Sequence, residues 1–180
     1  MPKTLRLAAL DHAKAFVGVV ERPPGSNRGE EIDRWNAAAG APPGSPWCCS
    51  FVHAMFAAAG FELRGGASVE AVLTAAREAG WLVARPLRGD LACFDFHEGD
   101  RYGPYGDHIG FVERVLALRW AGGRFTGWIA TVEGNTGDGV FRRRRWLRGI
   151  GAEFVRVPGE AAAPETPRAG ASAGPRNRVE

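Results

Sequence analysis

The sequence predicts an α+β fold, with N-terminal helices packed on one antiparallel β-sheet of about five strands. Two observations carry this. Up to residue 80, apolar residues recur at spacings of three and four between clear helix start and stop signals. Beyond residue 80, short runs of β-forming residues are separated by glycine-rich turns. Short connections favour antiparallel neighbours, and helices followed by strands favour segregated layers. A chain of 180 residues, 45% of them hydrophobic, can bury one core without disulfides or metals.

The elements follow in order. Leu5, Leu7, Ala8, Leu10, Ala15, Phe16, Val19 and Val20 fall at helical spacing, so a first helix is expected to about residue 20. Arg22-Pro23-Pro24-Gly25 stops it. Asn27 offers a cap with Glu30 three residues on, opening a second helix that ends at Gly40. Ala41-Pro42-Pro43-Gly44 is a loop; Ser45 is a cap candidate and Pro46 suits a first helical position. The third helix then runs to Gly60, and Ser68 caps a fourth that ends at Gly80. Strands are expected at 91–96, 108–116, 126–133, 140–146 and 153–157, with turns at Gly122-Gly123 and between Gly134 and Gly139. From Pro158 the chain lacks aromatic residues and cannot form a core, so 158–180 reads as a disordered tail behind a single domain of residues 1–157.

Composition narrows the function. The net charge is a mild +3, and the three arginines of the tail balance its three glutamates. Three cysteines, two of them adjacent, cannot build a disulfide framework, so free thiols and a reducing site of synthesis are expected. Asp11, His12 and Lys14 interrupt the apolar N-terminus, which reads as a helix of the mature protein rather than a signal peptide. With no 18-residue apolar stretch, no membrane insertion is expected. Arginines 142–145 on a strand alternate between faces and have no interleaved aromatics, so a nucleic-acid partner is not expected; a solvated strand with ion pairs is.

The chemistry concentrates at Pro46-Trp47-Cys48-Cys49. With Ser45 as cap, Cys48 sits at the third helical position, facing unpaired backbone N–H groups and the positive end of the helix dipole, which favour a thiolate. Counting by three and four from Cys48 gives Phe51, Val52, Met55 and Ala59, an apolar column that should meet the sheet. Counting from Cys49 gives Val52, His53, Phe56 and Gly60, so Cys49 reads as a small packing residue. A thiol nucleophile needs a base, and the base an orienter. His12 is expected exposed, His53 faces away from Cys48 and His97 lies in a polar loop, whereas His108 begins a strand and could reach the helix start. Glu133 and Asn135, two apart on an extended chain, would share one face, and either could hold the imidazole.

In order along the chain, the sequence resembles the CHAP-domain family of cysteine, histidine-dependent amidohydrolases and peptidases, papain-like enzymes that cut bacterial peptidoglycan. The pieces are residues 21–29 (ERPPGSNRG), Pro46-Trp47-Cys48 with Ser50-Phe51-Val52, Arg88-Gly89-Asp90-Leu91-Ala92, and His108-Ile109-Gly110-Phe111-Val112. Val132-Glu133-Gly134-Asn135-Thr136, residues 140–145 and Phe154-Val155-Arg156-Val157 complete the set, over roughly residues 5–157. The resemblance implies Cys48 as nucleophile, His108 as base, Glu133 as orienter and Asn135 as a fourth polar group. It also implies peptidoglycan as partner, through its glycan and stem peptide, with Trp47 and Asn27 near the substrate. Cys49 falls where the family usually has a small residue such as alanine.

No cofactor and no metal are expected, since no spaced aspartate run precedes Cys48. The chain has no glutamine, so a second oxyanion donor of the papain kind is missing. A monomer is expected, made without a signal peptide and carried to the wall by lysis or by a delivery machine. Two rivals stand beside this reading: an idle wall-binding or structural module, and a cysteine peptidase acting on protein. Cys93 reads as structural, and most of the six tryptophans as core.

Overall fold

The computed structural model describes residues 3–96, 107–147 and 151–160. Four helices precede the sheet: α1 (Leu5–Ala15), α2 (Glu30–Ala38), α3 (Cys48–Ala58) and α4 (Val69–Glu78). Six strands follow: β1 (Leu82–Val83), β2 (Leu91–Asp95), β3 (His108–Ala121), β4 (Arg124–Glu133), β5 (Phe141–Trp146) and β6 (Gly151–Val155). The α+β expectation holds, with one strand more than foreseen. β1 is two residues long, too short to leave a periodic signal.

All pairings are antiparallel, in the order β1-β6-β2-β3-β4-β5. β2 to β5 form the expected meander, and β6 crosses back to pair with β2 and β1. The period of two decides which residues face the helices. Leu91, Cys93, Ile109, Phe111 and Val132 join the main core with α1, α2, α3 and α4. Ala92, Phe94, Val112, Ile129 and Phe154 point to the opposite face and close a smaller core with Leu147.

Helix ends differ from the sequence reading where side chains are engaged elsewhere. α1 stops at Ala15, and residues 18–21 instead bond the chain at 138–140, through Gly18 N–H to Val140 O (2.9 Å) and Glu21 N–H to Asp138 O (2.8 Å). α2 starts at Glu30 behind Gly29; Asn27 lies earlier, at a left-handed φ of 53°. Ser45 does not cap α3. Its N–H turns back to Pro42 O (3.2 Å) and its carbonyl accepts from Asn36 Nδ2 (3.2 Å), so the helix begins at Cys48 with Trp47 as N-cap. Ser68 caps α4 as expected, its hydroxyl accepting from Ala71 N–H at 3.2 Å. Residues 158–160, assigned to the tail by composition, pair with the N-terminus through Leu5 N–H to Gly159 O (3.1 Å) and a bridge between Thr4 and Glu160. Backbone pairing needs no apolar side chain, which is why composition missed it. The rest of the expected tail, and the loop holding His97, lie outside the described residues. Among the described residues no helix is long and apolar enough to cross a membrane.

Asp90 ties the sheet together where β2 begins. Its side chain is fully buried and takes both Nε and Nη2 of Arg156 (3.1 and 2.7 Å), the Leu87 N–H (2.7 Å) and a longer contact from Arg6 (3.5 Å). The Gly89-Asp90 turn also exchanges backbone bonds with Val112 (2.8 Å each). This part of the expected motif is therefore structural. Asp90→Ala would leave Arg156 facing an empty buried site. Because Arg156 keeps partial access to solvent while the Leu87 N–H loses its acceptor, a loss of about 1–3 kcal/mol is expected, read as a lower midpoint in urea unfolding.

Candidate active site

Three elements converge at one end of the sheet. α3 supplies Cys48 at its first residue, β3 supplies His108 at its first residue, and β4 supplies Glu133 at its last. The His108 Nε2 to Glu133 Oε2 distance is 2.9 Å, and both side chains are buried. The Cys48 side chain lies close enough to the same imidazole to raise its proton affinity. With Nε2 engaged by the carboxylate, Nδ1 is the ring nitrogen left for sulfur.

Register explains the meeting. Phe94 pairs with His108 and Phe111 with Val132, which puts His108, Gly110 and Glu133 on the face away from the helices. Because His108 opens its strand, its ring stands at the sheet's end, where the start of α3 also lies. Gly110 makes the room: a Cβ there would sit 2.5 Å from Glu133 Cγ and 3.1 Å from Val132 O. Only glycine lets the carboxylate lie across β3 toward the imidazole.

Burial alone would neutralise both groups, and the partners reverse that. Desolvation pulls His108 down, but the nearby Cys48 and the Glu133 carboxylate, which accepts a hydrogen bond from the ring, prevail and raise it to about 9. Desolvation pushes Glu133 up, but Arg145 and His108 hold it at about 2. The imidazole is therefore charged and the carboxylate ionised near neutrality.

Arg145 is the group the sequence reading missed. It was placed on a solvated, ion-paired strand; Arg142 fits that, bonded to Glu113 (3.0 Å) and half exposed. Arg145 instead grips Glu133, with Nε on Oε1 at 2.8 Å and Nη2 on Oε2. The Thr131 hydroxyl also donates to Oε1. Arg145 lies opposite Ile129, four residues before Glu133, so the contact runs along the sheet rather than straight across a strand pair. No spacing rule finds a contact that depends on side-chain reach.

The two neighbouring cysteines separate clearly, although both are buried. Cys49 Sγ donates to Gly66 O (3.3 Å), and burial followed by the nearby Cys48 and Cys93 pushes its thiol well up. Burial likewise pushes Cys93 up. The predicted apolar column from Cys48 is buried throughout, but so is much of the Cys49 column, because α3 is enclosed on most sides. What distinguishes Cys48 is the imidazole beside it. Its place also shifts from the third helical position to the first, which leaves its own N–H among the free donors of the helix start.

The remaining expectations need correction. Trp47 is fully buried, so its ring offers no accessible wall to a substrate. It packs tilted against Trp35 and edge-on to Phe51, and donates Nε1–H to Glu21 Oε1 (3.0 Å). Glu21 Oε2 takes the Asn27 N–H (2.8 Å), so the 21–29 loop is moored to the residue before the nucleophile candidate. Asn27 contributes backbone to that mooring. Asn135 is not on an extended chain with Glu133: β4 has ended, and Asn135 has a φ of 54° in the turn, half-buried. It takes no part in the His108–Glu133 pair, so the carboxylate alone fills the orienting position.

Compared with known protein families, residues 40–135 match the CHAP domain. That span exceeds half of the 180 residues, and the chain belongs to this family. The family is one of amidohydrolases and peptidases associated with peptidoglycan. The matched span holds Cys48, His108, Glu133 and Asn135; Asn27 and Arg145 lie outside it. Searches of curated proteins and of solved structures find no significant match.

The charges predict a stability profile. His108 is raised above its ordinary 6.5, so its contribution is complete below that pH and is lost as pH rises through about 9. Glu133 is depressed below its ordinary 4.5, so its contribution is complete above that pH and is lost as pH falls toward about 2. Melting temperature should therefore plateau between these limits and fall on both sides. The gap between wild type and Glu133→Gln should shrink in acid, and a constant gap from the plateau down to acid pH would contradict the assignment.

Proposed function

We propose that the chain is a cysteine hydrolase that cleaves amide bonds in bacterial peptidoglycan, at the glycan–peptide amide or within the stem peptide or cross-bridge. The observation that carries the proposal is the imidazole of His108 bonded to the buried Glu133 carboxylate and standing beside Cys48, the first residue of a helix.

The reaction is acyl transfer. His108 enters the reaction charged, its Nδ1 holding the proton given up by Cys48, and the thiolate so paired attacks the amide carbonyl to form a tetrahedral intermediate. Free N–H groups at the α3 start, that of Cys48 among them, face the developing oxyanion. The imidazolium then protonates the leaving amine, and the C–N bond breaks to give a thioester. Water, deprotonated by the neutral imidazole, adds to the thioester and expels the thiolate, returning free enzyme and a carboxylic acid. Glu133 stays ionised throughout, fixing the ring tautomer and stabilising its charge. In a chain without glutamine the second oxyanion donor is Asn135, at the turn beyond β4, or another donor.

The test is turbidity loss and product mass from purified peptidoglycan. Cys48→Ala should lower release by about a thousandfold or more, as for loss of a nucleophile in a triad. Cys49→Ala should keep most of the activity, with a modest loss of stability from the lost methylene-sized volume. New amine or stem-peptide ends would name the bond. Walls of several chemotypes that yield no new ends under reducing conditions would sink the proposal, and release of protein-derived ends instead would redirect it to a protein substrate.

A further inference from the structure

We infer that Arg145 is a positioning residue of this site, acting through Glu133 to hold His108 in register with Cys48; the inference rests on the catalytic reading above. Glu133 has four good acceptor directions on its two oxygens, and the structure fills each. Oε2 takes His108 Nε2 (2.9 Å) and Arg145 Nη2; Oε1 takes Arg145 Nε (2.8 Å) and the Thr131 hydroxyl. The fork of the guanidinium bonds both oxygens at once, which fixes the plane of the carboxylate and so the direction of the lone pair offered to the imidazole.

The second contact set is aromatic. The Arg145 guanidinium lies over Phe94 (5.6 Å) and Phe96 (5.1 Å). The His108 ring packs on the same two side chains, at 6.1 Å from Phe94 and 5.8 Å from Phe96. Phe94 and Phe96 are themselves stacked at 5.5 Å. Cation and imidazole thus share one aromatic floor and one carboxylate, and neither can turn without disturbing the other. Without Arg145, Oε1 keeps only a hydroxyl and Oε2 only the imidazole. A fully buried carboxylate so poorly matched can rotate or take a proton, and either releases the ring.

A purely structural ion pair would raise stability and leave the chemistry of Cys48 alone, so the test reads that chemistry without substrate. The rate of Cys48 alkylation by iodoacetamide at pH 6.5, followed by peptide mass, is compared for wild type, Arg145→Met, Arg145→Lys, His108→Ala and Arg142→Met. Arg145→Met is expected to slow alkylation about tenfold or more, and to lower kcat on a soluble muropeptide about 10- to 100-fold with KM little changed, the range seen when an orienting partner is lost. Arg145→Lys restores the charge but cannot bond both oxygens in a plane, so it should recover only part of the rate. Arg142→Met, on the same strand but bonded to Glu113, should match wild type.

Wild-type alkylation rates in Arg145→Met would overturn the inference, and so would full recovery in Arg145→Lys, which would reduce the role to charge. Should circular dichroism show Arg145→Met unfolded, Arg145→Lys decides by the same criterion. The two readings separate cleanly. Fast, Arg145-dependent alkylation in a wild type that cleaves no wall keeps the positioning role and removes the substrate assignment. Wild-type alkylation no faster than in His108→Ala removes both.

Discussion

The structure depends on burying one ionised carboxylate. Glu133 has no solvent exposure, and a lone carboxylate there would lose several kcal/mol of hydration. It can stay charged only if every acceptor direction is met, and meeting them recruits three strands. β3 brings His108, β4 brings Thr131, and β5 brings Arg145. Gly110 supplies the space that a side chain would take. The polar centre and the order of the strands are therefore one requirement seen from two sides.

The helix side meets that centre through a separate anchorage. Trp47 is clasped between the ring packing of Trp35 and Phe51 and the carboxylate of Glu21. This fixes where α3 begins, and so where the sulfur of Cys48 and the free N–H groups stand. Glu21 is itself placed by backbone bonds to the turn that follows Glu133. The nucleophile candidate and the carboxylate thus hang from neighbouring stretches of backbone, which limits how far one can drift from the other.

Much of this was legible in the sequence because it rested on short-range rules. Helix spacing marked α1 to α4, β-forming runs between glycine-rich turns marked five strands, and Ser68 announced its helix. Cys48, His108 and Glu133 were legible as a set because each sits at an element end beside characteristic neighbours. What escaped was whatever depended on a distant partner. Ser45 looked like a cap until Pro42 and Asn36 claimed its backbone. Trp47 looked like a cleft wall until Glu21, 26 residues away, drew its indole nitrogen inward. Asn135 lost its assumed face when the chain turned left-handed just past β4. Arg145 was hidden among four consecutive arginines, which composition could not tell apart.

The uninterrupted neighbour order of β2, β3, β4 and β5 has a consequence for folding fidelity. Side chains alternate, so slipping any one strand by a single residue would send its contribution to the wrong side of the sheet. His108, Glu133 and Arg145 come from three successive strands, and their meeting verifies two pairings at once. An assembled centre is thus a checksum on the meander. A chain that had settled into a near-native but shifted sheet would keep its helices and its compactness, yet it would betray the error by a carboxylate buried without its partners.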